Sequence, residues 1–112
     1  MKQVRVIICD DQEIVRQGLS TILNADEQIE VLDTATDGED LLGKIDQNLP
    51  DLILMDLKMP IMDGVQATHQ IHQRYAEIKI LVLTTYDDEE WVMAAMHAGA
   101  DGYLLKDTPS EK

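Results

Sequence analysis

The chain has 112 residues, with 22 Asp and Glu against 9 Lys and Arg, which gives a formal net charge of −13. A chain of this length is expected to form one domain. Its hydrophobic residues, 45% of the total, are enough to form a core without disulfides or a structural metal. So acidic a surface repels phosphate backbones and anionic lipid, which argues against direct binding of nucleic acid or a membrane. The single cysteine excludes an internal disulfide, no apolar run could span a bilayer, and a cytoplasmic location is expected.

Short apolar runs alternate along the chain with segments of helical spacing. The runs are typical of buried strands, because several are rich in β-branched residues. They cover residues 4–9, 29–32, 52–55, 80–83 and 103–105. Four helices are predicted between them from apolar residues at helical spacing: Val15, Leu19, Ile22 and Leu23; Leu41, Leu42 and Ile45; Val65, Thr68, Ile71, His72 and Tyr75; and Trp91, Val92, Ala95 and Met96.

Strands that alternate with helices predict an α/β fold, a doubly wound five-stranded parallel sheet with helices on both faces. Asp37 and Asp63 stand where the second and third helices begin, and Gly99 stands where the fourth ends. Pro109, after the last strand, suits the first turn of a further helix. We therefore expect a truncated fifth helix, with an apolar strip of the sheet left open.

Polar side chains stand at the ends of four of the predicted strands. Asp10 and Asp11 follow the first strand, and Asp56, Thr84 and Lys106 follow the third, fourth and fifth. Because the carboxyl ends of the strands form the binding crevice of such a sheet, these side chains should converge. Crowded carboxylates repel one another, and an oxygen-only ligand set suits Mg²⁺. A carboxylate nucleophile, an ammonium and a hydroxyl at one site favour phosphoryl transfer.

Four segments closely resemble the receiver domain of bacterial two-component response regulators. They are CDDQE at 9–13, DLILMDLKMPIMDG at 51–64, LTTY at 83–86 and GADGYLLK at 99–106. The resemblance spans residues 3–109, and the run 98–107 is most similar to the NarL/LuxR-type branch, whose receivers precede a helix-turn-helix effector. It implies one receiver domain over 1–112, ending before or within the fifth helix and without its effector domain. It also implies the flavodoxin-like strand order 2-1-3-4-5.

The resemblance assigns a role to each residue at the strand ends. Asp56 would be the phosphoacceptor and would receive its phosphoryl group from a sensor histidine kinase. Asp11, Asp56 and the backbone carbonyl of Lys58 would bind Mg²⁺, with Asp10 contributing through water. Lys106 would bridge the acids in the resting state and hold the phosphate in the active state.

The resemblance also implies a conformational switch. Thr84 would move toward the phosphate and Tyr103 would turn inward behind it, which would change the face formed by the fourth helix and fifth strand. Lys58 and Tyr86 occupy positions that tune the lifetime of the phosphate in this family. Phosphorylation would then favour a homodimer in the parent protein, with DNA contacted only through the absent effector domain. Such a chain is not an enzyme beyond its own phosphorylation and dephosphorylation.

Three other functions fit parts of the pattern. A Mg²⁺-dependent aspartyl-phosphate phosphatase or phosphotransferase normally needs a second acid, whereas Lys58 follows Asp56 by two residues. A nucleotide or flavin binder lacks support, because the loop at 10–12 has no glycine to cradle phosphate. A degenerate receiver could serve only as an interaction module.

Several polar or reactive residues have simpler interpretations. His69 and His72 lie three apart but lack a metal-binding pattern, and Cys9 is expected to be a small buried hydrophobe. The acidic run 87–90 is expected to be a solvated first turn of the fourth helix.

Overall fold

The computed structural model describes residues 2–85 and 88–106, over which strands and helices alternate. The strands are β1 (Val4–Cys9), β2 (Ile29–Ala35), β3 (Leu52–Asp56), β4 (Lys79–Thr84) and β5 (Gly102–Leu105). The helices are α1 (Glu13–Asn24), α2 (Gly38–Gln47), α3 (Gly64–Arg74) and α4 (Glu89–Ala98). No helix within these residues has the length and apolar character that crossing a membrane requires.

The five strands form one parallel sheet in the order β2-β1-β3-β4-β5. This order and the α/β class confirm the prediction. The register aligns the carboxyl ends of the strands, because Cys9 is paired with Met55, Met55 with Val82, and Val82 with Tyr103. The polar residues that follow this row therefore meet at one edge of the sheet.

Two hydrophobic cores lie on opposite faces of the sheet, since successive side chains of a strand alternate in direction. On β1, Val6 and Ile8 belong to the core that α1 covers, whereas Ile7 and Cys9 belong to the larger core against α2, α3 and α4. All four side chains are fully or almost fully buried. The alternation fixes the register of this central strand, because a slip by one residue would exchange its two buried faces.

The predicted helix boundaries at Asp37, Asp63 and Gly99 are confirmed. The carboxylates of Asp37 and Asp63 accept hydrogen bonds from the backbone N–H groups of Asp40 and Gln66, which caps α2 and α3. Gly99 follows α4 with a φ of 121°, a conformation that L side chains rarely adopt. A β-carbon there would lie 2.5 Å from the ring of His72, so the backbone of Gly99 packs directly on α3.

The expectation of five buried strands is wrong for the two edges of the sheet. β2 is mostly half-buried, and in β5 the side chains of Tyr103, Leu104 and Leu105 are exposed. An apolar run reports that a strand is hydrophobic but not where it lies in the sheet, and these two strands lie at its edges. The predicted fifth helix falls outside the described residues, so the open strip expected from its truncation stays a prediction.

Candidate functional site

A cleft of about 520 Å³ opens at the carboxyl ends of β1, β3, β4 and β5. Asp11, Asp56, Thr84 and Lys106, four of the five residues predicted at the strand ends, line this cleft. The fifth, Asp10, is buried beneath it and hydrogen-bonded to Lys106. The structure therefore brings together side chains from almost the whole length of the chain.

Three carboxylates form the acidic part of the site. Ligand oxygens of Asp10, Asp11 and Asp56 all lie within 4.8 Å of one another. Asp10 is completely buried and Asp56 almost so, whereas Asp11 is exposed. Such a set of oxygen donors fits Mg²⁺, which prefers one or two carboxylates and retains water in its remaining positions. The donor set and its partial exposure thus meet the requirements of a magnesium site.

Lys106 supplies the positive charge of the cluster. Its Nζ lies 3.1 Å from Oδ2 of Asp10 and 3.4 Å from Oδ1 of Asp56. Its backbone N–H donates to the carbonyl of Thr84 at 2.7 Å, which continues the pairing of β5 with β4 past the end of the strand. Burial alone would lower the pKa of Lys106, but the hydrogen bond to Asp10 and the charge of Asp56 outweigh it and raise the pKa. The ammonium therefore stays charged at neutral pH.

Asp56 carries a perturbed carboxyl group. Burial and then the charge of Asp10 raise its pKa to about 6, although Lys106 opposes the shift. Both of its hydrogen bonds within the described residues, from the Leu57 N–H and from Lys106, are accepted by Oδ1. Oδ2 is therefore the oxygen that can react without first losing one of these hydrogen bonds. At neutral pH the group is mostly ionised yet more basic than an ordinary aspartate, a combination that favours nucleophilic attack.

Thr84 and Tyr103, the predicted switch pair, lie on neighbouring strands. Thr84 is buried at the end of β4, and the one hydrogen bond that its hydroxyl makes within residues 2–85 and 88–106 is a long one of 3.4 Å to the carbonyl of Thr85. Tyr103 on β5 is 54% exposed, so its ring lies outside the core in this state. Both residues line a cavity of about 410 Å³ between α4 and β5, whose walls include Val92 and Met96. Space next to Thr84 is thus available to an inward-turning ring.

Lys58 and Asp88 form an ion pair at the rim of the cleft. Lys58 Nζ lies 2.8 Å from Oδ1 of Asp88 and 5.6 Å from the centre of the Trp91 ring. The side chain of Asp88 is only 13% exposed, so the expectation of a solvated acidic turn is wrong at this residue. The sequence could not reveal this pair, because its partners are 30 residues apart. Tyr86, the other predicted tuning residue, lies outside the described residues, as does Asp87.

The loop after Asp56 is tightly constrained. Gly64, the first residue of α3, donates its N–H to the carbonyl of Leu57 at 2.8 Å, and a β-carbon on Gly64 would lie 2.2 Å from the backbone oxygen of Asp56. Ile61 within the loop has a φ of 68°, which is rare for a β-branched residue. Such strain is maintained only where surrounding contacts fix the backbone. The close approach of α3 therefore fixes the backbone at Asp56 and Leu57, directly before Lys58.

Cys9 is completely buried in β1, as predicted. Its pKa is raised well above the usual range, first by burial and then by the charge of Asp37. The thiol is therefore not a nucleophile at neutral pH.

Comparisons with known proteins agree on one family. The family model described as the response regulator receiver domain matches residues 6–112 of this chain. The oxygen regulatory protein NreC of Staphylococcus carnosus is 44% identical over 97% of this chain and 51% of its own length. The transcriptional regulatory protein LnrK of Bacillus subtilis is 40% identical over 96% of this chain and 49% of its own length.

Solved structures show the same likeness. The signal receiver domain of the response regulator NarL from Mycobacterium tuberculosis superposes with a TM-score of 0.89 at 33% identity. That superposition covers 97% of this chain and 88% of the other. By contrast, the chain spans about half the length of the curated relatives it matches.

Proposed function

This chain belongs to the receiver-domain family of two-component response regulators, in its NarL/LuxR-type branch, and on that premise we propose that Asp56 is its phosphoacceptor. Receiver domains of this kind act as phosphorylation switches. We further propose that Mg²⁺ binds at the site and that a sensor histidine kinase donates the phosphoryl group. Phosphorylation then changes the surface formed by α4 and β5.

The observation that carries the proposal is the bridging position of Lys106 between Asp10 and Asp56 at the floor of the cleft. A buried carboxylate pair is unfavourable unless a cation compensates for it, so the site is organised around negative charge at Asp56. A phosphoryl group on Asp56 would add further negative charge at the same place. Lys106 is close enough to transfer its contact from the carboxylates to the phosphate.

In the proposed reaction a carboxylate oxygen of Asp56 attacks the phosphorus of a phosphohistidine. The new O–P bond forms as the P–N bond breaks, and the imidazole leaves with the electron pair of that bond and takes up a proton. Lys106 stabilises the charge that spreads over the phosphoryl oxygens, and the Thr84 hydroxyl donates a hydrogen bond to one of them. Burial raises the pKa of Asp56 in the metal-free site, and a cation held beside this carboxyl would favour the ionised form that attacks.

Asp11, Asp56 and the backbone carbonyl of Lys58 are the proposed ligands of Mg²⁺, with Asp10 contributing through water. When bound, the ion offsets the repulsion among the carboxylates and the incoming phosphoryl group. The clustering of carboxylate oxygens within 4.8 Å supports this assignment. Asp10 is the less direct ligand because it is buried and bound by Lys106.

The switch would proceed through Thr84 and Tyr103. A phosphoryl group on Asp56 draws the Thr84 hydroxyl toward the cleft, because its long hydrogen bond to Thr85 is easily exchanged for one to a charged acceptor. Tyr103 then turns from solvent into the cavity between α4 and β5, whose volume of about 410 Å³ can receive a ring. The surface presented by α4 and β5 changes as a result.

The partners of the switch are inferred from the family. Response regulators interact with histidine kinases and commonly dimerise, and we infer that phosphorylation of this chain favours its homodimer. The chain spans about half the length of the regulatory proteins that it resembles. We therefore further propose that the receiver domain over 1–112 precedes a DNA-binding effector in the parent protein. The expected cytoplasmic location stays a prediction.

Receiver domains of transcriptional regulators are signalling domains and are generally not enzymes. We infer that this chain catalyses only its own phosphorylation and dephosphorylation. The alternative of a phosphatase or phosphotransferase acting on external substrates is disfavoured by Lys58, which stands where a second acid would be needed and pairs with Asp88. The five residues at the strand ends likewise disfavour a degenerate interaction module.

Intact-protein mass after incubation with acetyl phosphate and Mg²⁺ tests the proposal. The expected result is a single gain of about 80 Da that disappears with EDTA and in Asp56→Asn. Thr84→Ala and Lys106→Ala should reduce the gain, whereas Thr21→Ala, on the exposed part of α1, serves as the matched control for Thr84→Ala. An undiminished gain in Asp56→Asn would refute the assignment of the acceptor.

A further inference from the structure

The ion pair of Lys58 and Asp88 joins two loops across the rim of the proposed phosphorylation cleft. Lys58 belongs to the loop after β3, two residues beyond Asp56, and Asp88 belongs to the loop after β4. Both residues line the cleft together with Asp56 and Lys106. The cleft therefore contains a second ammonium, and that ammonium is directed to a carboxylate at the rim.

Asp88 occupies a position where aspartate normally has another role. It is the N-cap residue of α4, and its carbonyl accepts the first helical hydrogen bond from the N–H of Val92 at 3.1 Å. At the same position of α2 and α3, Asp37 and Asp63 accept a hydrogen bond from a backbone N–H of the first helical turn. Within the part of the chain that the structure describes, the Asp88 side chain makes no such capping bond. Its carboxylate is thus diverted from the usual stabilising contact of an N-cap aspartate.

Two donors among the described residues bind the Asp88 carboxylate instead. Lys58 Nζ approaches Oδ1 at 2.8 Å, and the hydroxyl of Thr85 donates a short hydrogen bond to Oδ2. The hydrogen bond from Lys58, followed by that from Thr85, lowers the pKa of Asp88. Trp91, one helical turn further along, places its ring 5.6 Å from the same ammonium. Two groups, the Asp88 carboxylate and the Trp91 ring, therefore define the place of a lysine side chain that is itself 55% exposed.

A paired ammonium attracts an anion more weakly than one whose charge is not balanced by a carboxylate. A phosphodonor carries about two negative charges near neutral pH and must approach three carboxylates to reach Asp56. We propose that Asp88 is a positioning residue that holds the Lys58 ammonium at the rim of the cleft and thereby slows entry of the phosphoryl donor. This inference rests on the proposed function, because it concerns the rate at which Asp56 is phosphorylated.

The rate of phosphorylation by acetyl phosphate in Mg²⁺ tests the inference. In this reaction an Asp56 oxygen forms the new O–P bond, and acetate leaves with the electrons of the bond that breaks. Asp88→Asn removes the charge, keeps the size and retains a good N-cap residue, so α4 should remain intact. We expect a rate constant about threefold to tenfold higher at low ionic strength, as one additional uncompensated charge at the rim would give. The increase in rate should be smaller in 0.5 M salt, because the Debye screening length there is only about 3 to 10 Å.

Three matched variants separate this role from a general effect of charge or of helix structure. Glu90→Gln removes the same charge from an exposed residue of the same helical turn and should change the rate less than about twofold. Asp88→Glu keeps a carboxylate and should stay within about twofold of the parent chain. In a Lys58→Gln background, Asp88→Asn should lose most of its effect, because the residue through which it acts is gone.

The outcomes distinguish the inference from the proposed function. If the parent chain gains no phosphoryl group, both are overturned. If the parent chain is phosphorylated but Asp88→Asn leaves its rate unchanged or lowers it, only the inference is overturned. It is also overturned if Asp88→Asn accelerates the reaction equally with Lys58 and with Gln at position 58.

Discussion

The ammonium of Lys106 lies 3.1 Å from the completely buried carboxylate of Asp10, although 96 residues separate the two in the chain. The same ammonium lies 3.4 Å from Asp56. A single side chain at the end of β5 therefore compensates for two carboxylates that follow β1 and end β3. We therefore expect the stability of the site, and under the proposed function its chemistry, to depend on this contact.

Lys106→Ala should lower the free energy of unfolding at pH 7 by about 2–4 kcal/mol, because it leaves two buried carboxylates without their counter-charge. The loss should shrink as the pH falls below about 6, the pKa of Asp56, since protonation of that carboxyl removes one of the uncompensated charges. Urea denaturation at several pH values measures both effects. Lys79→Ala, at the exposed start of β4, is the control and should cost less than about 0.5 kcal/mol. Equal losses in the two variants would contradict the bridging role.

Asp56→Asn should stabilise the protein at neutral pH in the presence of EDTA. The pKa of Asp56 is about 6 in the folded protein and 3.8 in the reference state, so between these values the folded state binds more protons. The free energy of unfolding of the parent chain therefore falls as the pH rises. The full loss, at most about 3 kcal/mol, is reached above pH 6.5. Asp56→Asn has no ionisable group at this position and therefore does not show this loss.

The difference between Asp56→Asn and the parent chain should therefore be near zero at pH 4 and about 1–3 kcal/mol at pH 7.5. Chemical denaturation across this range measures it. Mg²⁺ should reduce the difference at pH 7.5, because ligand binding stabilises the parent chain. A difference that does not vary with pH would contradict the assigned pKa of Asp56.

Gly64→Ala should destabilise the protein by about 2–4 kcal/mol, because the added β-carbon would lie 2.2 Å from the backbone oxygen of Asp56. Backbone must shift to relieve this contact, so the loop that carries Lys58 should shift with it. Gly43→Ala is the matched control: position 43 lies inside α2 with open space around it, and the change should add about 0.5–1 kcal/mol. Thermal or urea unfolding gives both values, and a neutral Gly64→Ala would contradict the packing described here.

Trp91 should report occupation of the site through its fluorescence, since it is the single tryptophan of the chain and packs beside the Lys58 ammonium. Beryllofluoride with Mg²⁺, a mimic of the phosphoryl group, should draw Lys58 from the ring and change the emission. Asp56→Asn should show no such change, and Lys58→Gln should show a smaller one. An identical response in Lys58→Gln would show that Trp91 senses the site by another route.

The sequence predicted the features that depend on local pattern. The alternation of apolar runs with helical spacing identified five strands and four helices, and the polar residues after the runs identified the edge at which they converge. β3 and β4 continue one residue past their predicted ends, through Asp56 and Thr84, and β2 continues three, through Ala35. A polar residue can continue a strand whose backbone is still paired.

Two features required the folded structure. The partial burial of β2 depends on its position at the edge of the sheet, which an apolar run does not encode. The pairing of Asp88 with Lys58 depends on two loops that meet only after the sheet has formed, so an acidic run at a helix start was interpreted as a solvated turn.

The central claim is that Asp56, rather than a neighbouring carboxylate, accepts the phosphoryl group. Borohydride reduction of the acyl phosphate followed by tryptic peptide mapping tests it most directly, because reduction converts the modified aspartate to homoserine. Asp10 and Asp11 fall in the peptide 6–16 and Asp56 in the peptide 45–58, so the candidate acceptors separate on digestion. We predict homoserine at position 56 and unmodified aspartate at positions 10 and 11. Homoserine in the peptide 6–16, with Asp56 unmodified, would contradict the account.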